Sequence, residues 1–205
     1  MRKILVAAGM VLILTVPASA ASLTTTLTDP VGDTVNLNSS TITPAYMDMA
    51  GAMITKKGSV FEFSMTLAAT LPASPTLAAQ TKEIWWLWAL DTDPTTAPAG
   101  FPRSPGTAVP PEFDVVVAWD GSRYRAYLDD RRPLLTGGDN IFTPIKFTRK
   151  GTQLSAFVDA TALGDPTTFG VRLLTAFRMT SQAAEGFTFA DLLPDANMSF
   201  VQWPS

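Results

Sequence analysis

Two pairs of carboxylates, a group of tryptophans and a short set of arginines carry most of the chemistry this sequence can offer. Asp91 and Asp93 stand two residues apart where an apolar run gives way to a long Pro/Gly segment, with Thr92 and Thr95 beside them. Asp29 and Asp33 bracket Gly32 in a similar way. A hard cation such as calcium takes about six to eight oxygens, and such loops supply carboxylate and carbonyl oxygens together. Neither pair has EF-hand spacing, and Asp beside Pro or Gly is also ordinary turn chemistry. Asp91 and Asp93 are the preferred metal ligands from spacing, with Asp29 and Asp33 second.

Trp85, Trp86 and Trp88 fall in one run. A period of two sends Trp86 and Trp88, with Ile84 and Leu90, to one face, and Trp85 with Leu87 and Ala89 to the other. The heavier face is the core. Trp85 on the opposite face either stacks a planar ligand such as a sugar ring or lies buried beneath a loop. Arg123, Arg125 and Tyr127 stand across the Asp120-Gly121 turn from Glu112, Asp114, Val116 and Ala118. They can read hydroxyl groups through planar hydrogen bonds, or form cross-strand ion pairs on a solvated face. The candidate ligand contacts are Trp85, Arg125 and Tyr127, with Phe101 and Arg103 from the long segment. Arg131 and Arg132 read as solvated.

Among the 205 residues there is no Cys and no His. Ser-His-Asp and Cys-His nucleophile systems, thiolate or imidazole zinc sites and disulfides are therefore excluded. Glycoside hydrolysis needs only two carboxylates. Nothing in the sequence sets two of Glu62, Glu83, Glu112 and Glu185 in one cleft, so the expectation is a non-catalytic protein.

The elements that must position these residues read as strands. Phe61, Phe63, Met65 and Leu67 alternate with Glu62, Ser64 and Thr66; Phe113, Val115, Val117 and Trp119 alternate with Glu112, Asp114, Val116 and Ala118; Val171, Leu173, Thr175, Phe177 and Met179 alternate with Arg172, Leu174, Ala176 and Arg178. Shorter alternations cover Leu23 to Leu27, Met47 to Met53, Tyr124 to Leu128 and Leu154 to Val158. Ile84 to Leu90 is apolar on both faces, as a central strand is. Turns at Lys57-Gly58, Asp120-Gly121 and Lys150-Gly151 join neighbouring runs. One short helix is expected from Asp159 to Leu163, capped by Asp159 and stopped by Gly164. The pattern predicts an all-β antiparallel sandwich of roughly ten strands. Between two of its best strands, Thr92 to Pro111 carries six prolines and two glycines. A connection longer than about 12–15 residues is uncommon in a compact domain and often functional.

Arg2 and Lys3, the apolar run from Ile4 to Leu14 and Ala18-Ser19-Ala20 form a secretory signal, with cleavage near Ala20. Residues 21–205 then make a single domain, secreted or periplasmic. Removing the first twenty residues leaves 13 basic against 18 acidic residues, a net charge of −5. That balance gives no electrostatic case for nucleic acid, and no later run is long enough to span a membrane.

Several local patterns also fall into a familiar order. They are Asp29-Pro30-Val31-Gly32-Asp33, an Asp48-containing strand, Leu71-Pro72, Leu90-Asp91-Thr92-Asp93-Pro94, and Pro111-Glu112-Phe113-Asp114-Val115 with Trp119-Asp120-Gly121. Ala162-Leu163-Gly164 and Asp191-Leu192-Leu193-Pro194-Asp195 complete the series. This order resembles the DOMON-like superfamily of secreted β-sandwiches, which includes the family 9 carbohydrate-binding modules. The resemblance implies a jelly-roll-like sandwich, usually non-catalytic and often calcium-bound, that binds a glycan or sometimes haem. The haem branch holds its iron with Met and His, so a chain without His is not expected to bind haem. The resulting expectation is an exported, calcium-stabilised domain that binds a polysaccharide or glycan. A structural domain with an extracellular protein partner is the alternative, and a carboxylate glycoside hydrolase stands behind it.

Overall fold

A computed structural model describes residues 22–34, 43–78, 80–93, 95, 111–179, 187–194 and 200–204. The described chain forms twelve strands: β1 (Leu23–Thr28), β2 (Met49–Lys57), β3 (Val60–Leu67), β4 (Thr81–Asp91), β5 (Phe113–Trp119), β6 (Tyr124–Asp130), β7 (Ile141–Pro144), β8 (Lys146–Lys150), β9 (Gln153–Asp159), β10 (Phe169–Met179), β11 (Phe187–Leu193) and β12 (Val201–Trp203). They build two antiparallel sheets packed as a sandwich. One has the order β1-β2-β3-β9-β8, the other β11-β10-β4-β5-β6-β7, with β12 beside the start of β10. Among the described residues no helix is long and apolar enough to cross a membrane.

The hairpins follow the turn residues. Gly58, Gly121 and Gly151 all take positive φ at the tips joining β2 to β3, β5 to β6 and β8 to β9. The segment expected to be helical is a single 3-10 turn, Ala160–Leu163, ended by Gly164 at φ 81°. Asp159 takes the cap position, but its side chain makes no capping hydrogen bond.

β4 lies between β10 and β5 and is apolar on both faces, as the sequence pattern requires. Its inner residues Ile84, Trp86, Trp88 and Leu90 meet Phe61, Phe63 and Met65 of the facing sheet in one continuous core. Phe169 and Trp203 stack at 5.0 Å, and Phe61 meets the Trp203 ring edge-on at 4.9 Å. Burying an aromatic of this size contributes on the order of 2–3 kcal/mol. Trp86 donates its indole N–H to the Tyr46 carbonyl at 3.1 Å, and Thr175, fully buried, donates its hydroxyl to the Met47 carbonyl. Both bonds tie the seven-stranded sheet to the chain leading into β2.

Register shifts interrupt three strand pairs, one of them between β10 and β4 at Arg178 and Met179. In β2 the register slips between Met49 and Gly51, so that Ala52 and Ile54 turn inward and Met53 outward. The expected alternation from Met47 to Met53 is thereby corrected: the extra residue inverts the faces partway along the run. In β11 a second slip opposite Thr175 and Ala176 leaves Ala190 out of register, and both Ala190 and Leu193 belong to the core between the sheets.

The outer faces of the two sheets differ. On the five-stranded sheet Thr24 bonds Thr55, Ser64 bonds Ser155, and Lys57 pairs with Glu62. The outer face of the seven-stranded sheet is apolar in the middle and charged at both ends. Leu87, Ala89, Val116, Ala118, Leu174, Ala176 and Leu192 form a second buried cluster there.

Candidate functional site

Strand register places the candidate residues on that outer face in rows. Across β10, β4, β5 and β6, one row reads Ala176, Trp85, Ala118, Arg125; the next reads Leu174, Leu87, Val116, Tyr127; a third reads Arg172, Ala89, Asp114, Asp129. Trp85, Arg125 and Tyr127, predicted separately from the sequence, therefore share one patch. Trp85 is half-buried and lies between Ala176 and Ala118 in the row, both fully buried. Tyr127 meets Trp85 edge-to-face at 6.3 Å, Phe187 lies 4.5 Å from it, and Phe142 extends the aromatic series 5.5 Å beyond Tyr127.

Glu83 organises the polar side of the patch. It is 3% exposed and accepts the Trp85 indole N–H at 2.7 Å. Arg125 reaches its other oxygen at 2.5 Å, and Arg178, opposite Glu83 in β10, lies at 3.4 Å. Arg125 itself stays 42% exposed. Burial, with the nearby Glu83 charge next in weight, holds the Tyr127 hydroxyl well above the usual phenol range, so it stays protonated as a donor. Glu83 was absent from the sequence-level ligand set. Its only signal was its place two residues before Trp85 on the same strand face.

At the far end of the face the charges are buried. Asp114 and Arg131 pair at 3.1 Å with side chains 5% and 7% exposed. This corrects the expectation that Arg131 is solvated: its backbone N–H bonds the Glu112 carbonyl, which folds the residue back over the sheet. Arg132 is exposed and forks onto Asp130. Asp129 lies directly opposite Asp114 and accepts from Asn140. Burial and then the Asp114 charge push its carboxyl up to about 7, against the opposing pull of Arg131 and Asn140.

The two predicted carboxylate pairs fare differently. Asp93 is exposed and caps its own turn, accepting from the Thr95 N–H at 3.0 Å and hydroxyl at 2.6 Å. Those bonds hold its carboxyl below the usual range. Glu112 accepts the Thr92 N–H at 2.7 Å and the Asp93 N–H at 3.3 Å. Asp91 is 8% exposed, and burial, then the charges of Glu112 and Asp93, raise it to about 6. Asp29 and Asp33, in contrast, converge on a third acid. Among the described residues, one group of three carboxylates, Asp29, Asp33 and Asp191, brings an oxygen from each within 4.8 Å of the others. Geometry thus favours the second pair over the first.

Asp48 lies near this group without belonging to it. Its Oδ2 accepts the Gly32 N–H at 2.9 Å, while its Oδ1 is buried with no hydrogen-bond donor. Asp191 accepts the Met49 N–H at 2.6 Å and the Leu192 N–H at 2.8 Å. It is 1% exposed, and burial is the main cause raising it to about 7, helped by the charges of Asp33 and Asp48. Asp48 and Asp191 stood outside the candidate metal ligands read from the sequence. Each showed as an acid inside an apolar run, Met47 to Met49 and Ala190 to Leu193, and within the motifs that carry the family resemblance. Phe101 and Arg103 lie outside the described residues, as does the segment 1–21.

The chain matches no protein-family model, and no curated protein sequence matches it significantly.

Proposed function

We propose that this is an exported, non-catalytic binding domain for a polysaccharide or glycan, and that the outer face of the seven-stranded sheet takes the ligand. The observation that carries the reading is the junction of Trp85, Glu83 and Arg125. A half-exposed ring offers its face to the apolar side of a sugar, while a guanidinium fixed on a buried carboxylate is held ready to donate to hydroxyls. Tyr127 adds a neutral hydroxyl at the edge of the same patch.

The test is binding to a broad polysaccharide panel by affinity electrophoresis and calorimetry. Trp85→Ala is expected to abolish binding and to lower stability by about 1–2 kcal/mol, less than the roughly 3–5 kcal/mol of a core Trp→Ala change. Arg125→Ala is expected to weaken binding at least tenfold. A loss of stability in the core range for Trp85→Ala, or no binding across the panel by a folded sample, overturns the reading.

One observation favours a second reading, a protein-interaction domain. Ile141 and Phe142, on the edge strand β7, are 53% and 60% exposed. An open strand edge with apolar side chains is a surface that a partner chain can extend. Ile141→Ser discriminates between the two: it abolishes capture of a protein partner and leaves glycan binding by the Trp85 patch in place.

A further inference from the structure

We infer that two copies of this chain join through β7, antiparallel and edge to edge, about a twofold axis at Phe142. This rests on the open edge of the second reading, names its partner, and is independent of glycan binding. β7 is the last strand on one side of the seven-stranded sheet, and all of its residues are exposed. Native sheets commonly blunt such an edge with charge. The outer strand β8 of the other sheet does so, with Lys146, Arg149 and Lys150 exposed. β7 reads Ile141, Phe142, Thr143 and Pro144 and carries no charge.

Backbone direction selects the register. The Ile145 N–H bonds the Ala126 carbonyl at 3.1 Å, and β7 pairs with β6 as Thr143 with Leu128 and Ile141 with Asp130. In an antiparallel ladder, bonded and non-bonded pairs alternate. Ile145, Thr143 and Ile141 therefore direct their backbone groups to β6, and Phe142 turns both its N–H and its C=O outward. Pro144 also faces outward, so its missing N–H breaks no bond to β6. With Phe142 on the axis, each Phe142 exchanges both bonds with Phe142 of the second copy. Asn140 then stands opposite Pro144 of the second copy, and its N–H meets the one backbone group that Pro144 offers.

Charge complementarity identifies the occupant as a second copy. Asp139 stands two residues before β7 and Lys146 two residues after it, and both are exposed. An antiparallel neighbour of the same sequence sets each Asp139 beside the Ile145–Lys146 end of the other chain, so opposite charges meet at both ends. A parallel neighbour sets like charges together. The aromatic series agrees: Phe142 lies on the face of Tyr127 and Trp85 and meets the Tyr127 ring edge-to-face at 5.5 Å. Across a hydrogen-bonded pair the Cα atoms lie about 5.5 Å apart with side chains on one face. The two Phe142 rings therefore cover each other. The contact is self-complementary and uses the whole edge, so assembly closes at the dimer.

The experiment is sedimentation equilibrium of the purified protein, without glycan, over roughly a hundredfold range of concentration. A monomer–dimer equilibrium with no larger species is expected. Phe142→Lys sets two like charges face to face on the axis and is expected to weaken association roughly tenfold or more. Lys146→Asp is expected to weaken it too, and adding Asp139→Lys to Lys146→Asp to restore it, because the double change reverses both charge pairs. That recovery separates lost contact from lost folding. The chain has no Cys, so Phe142→Cys under mild oxidation reports on the axis directly. It is expected to cross-link two chains, whereas Thr148→Cys, exposed on β8, is not. A wild type that stays monomeric throughout the range overturns the proposal. So does a dimer that Phe142→Lys leaves unchanged, a double variant that does not recover, or growth beyond the dimer. Glycan binding is measured separately, so its failure leaves this result standing.

Discussion

Asp129 shows how a single side chain sets a pH response in this protein. Its carboxyl lies opposite Asp114, and burial, then the Asp114 charge, lifts it to about 7 in the folded chain. An unfolded aspartate titrates near 3.9. Between about pH 4 and 7 the folded state therefore binds more protons than the unfolded one, and stability falls as pH rises through that window. Above about pH 7 the loss is complete. Asp129→Asn removes this term while keeping an oxygen to accept from Asn140. It is expected to match wild type at pH 4 and to exceed it by roughly 1–3 kcal/mol at pH 8, measured by urea denaturation at both pH values. An equal effect at the two pH values refutes the assignment. Such a residue is not legible beforehand, since its shift depends on which acid the neighbouring strand sets across from it. Trp85, Arg125 and Tyr127 were legible because a period of two fixes the face of each, and one sheet face brought all three together. Asp48 and Asp191 were not, because their meeting depends on contacts between sheets.

At the scale of elements, the bulges in β2 and β11 decide where acids point. The slip in β2 lies just after Met49 and that in β11 just before Asp191, so both flank the Asp48–Asp191 junction. Such irregularities re-aim side chains and commonly sit beside functional positions. Gly51 makes the first one possible. Its φ is 152°, and a Cβ there would stand 2.6 Å from the Leu27 carbonyl oxygen, a backbone atom that cannot turn aside. Gly51→Ala is expected to cost roughly 2–3 kcal/mol, seen in chemical denaturation, by spreading β1 from β2. A neutral Gly51→Ala refutes the close approach. The alternation in the sequence announced the strands but not the slips, because one extra residue leaves no mark in composition. β8 was marked only by the Lys150-Gly151 turn that follows it and β7 by no alternation: both are short edge strands with little apolar patterning, exposed along most of their length.

At the scale of the molecule, the sandwich, the central place of β4 and the hairpins were all readable from local pattern. The sheet order was not, since each sheet is completed by strands far apart in sequence. β3 pairs with β9, and β4 with β10. The long Pro/Gly connection after β4 falls between these partners. Three strands of the first sheet precede it and two follow it, while β4 alone crosses into the second sheet and lies between β5 and β10, both of which come after. The covalent link between Asp93 and Pro111 is therefore not what holds the two parts of the chain together. A protease cut engineered within residues 94–110 is expected to give two fragments that co-elute in gel filtration and part only in denaturant. Separation in native buffer refutes this. Under such a cut the protein behaves as a non-covalent heterodimer of its own pieces, and the connection is free to vary in length and composition without loss of the fold.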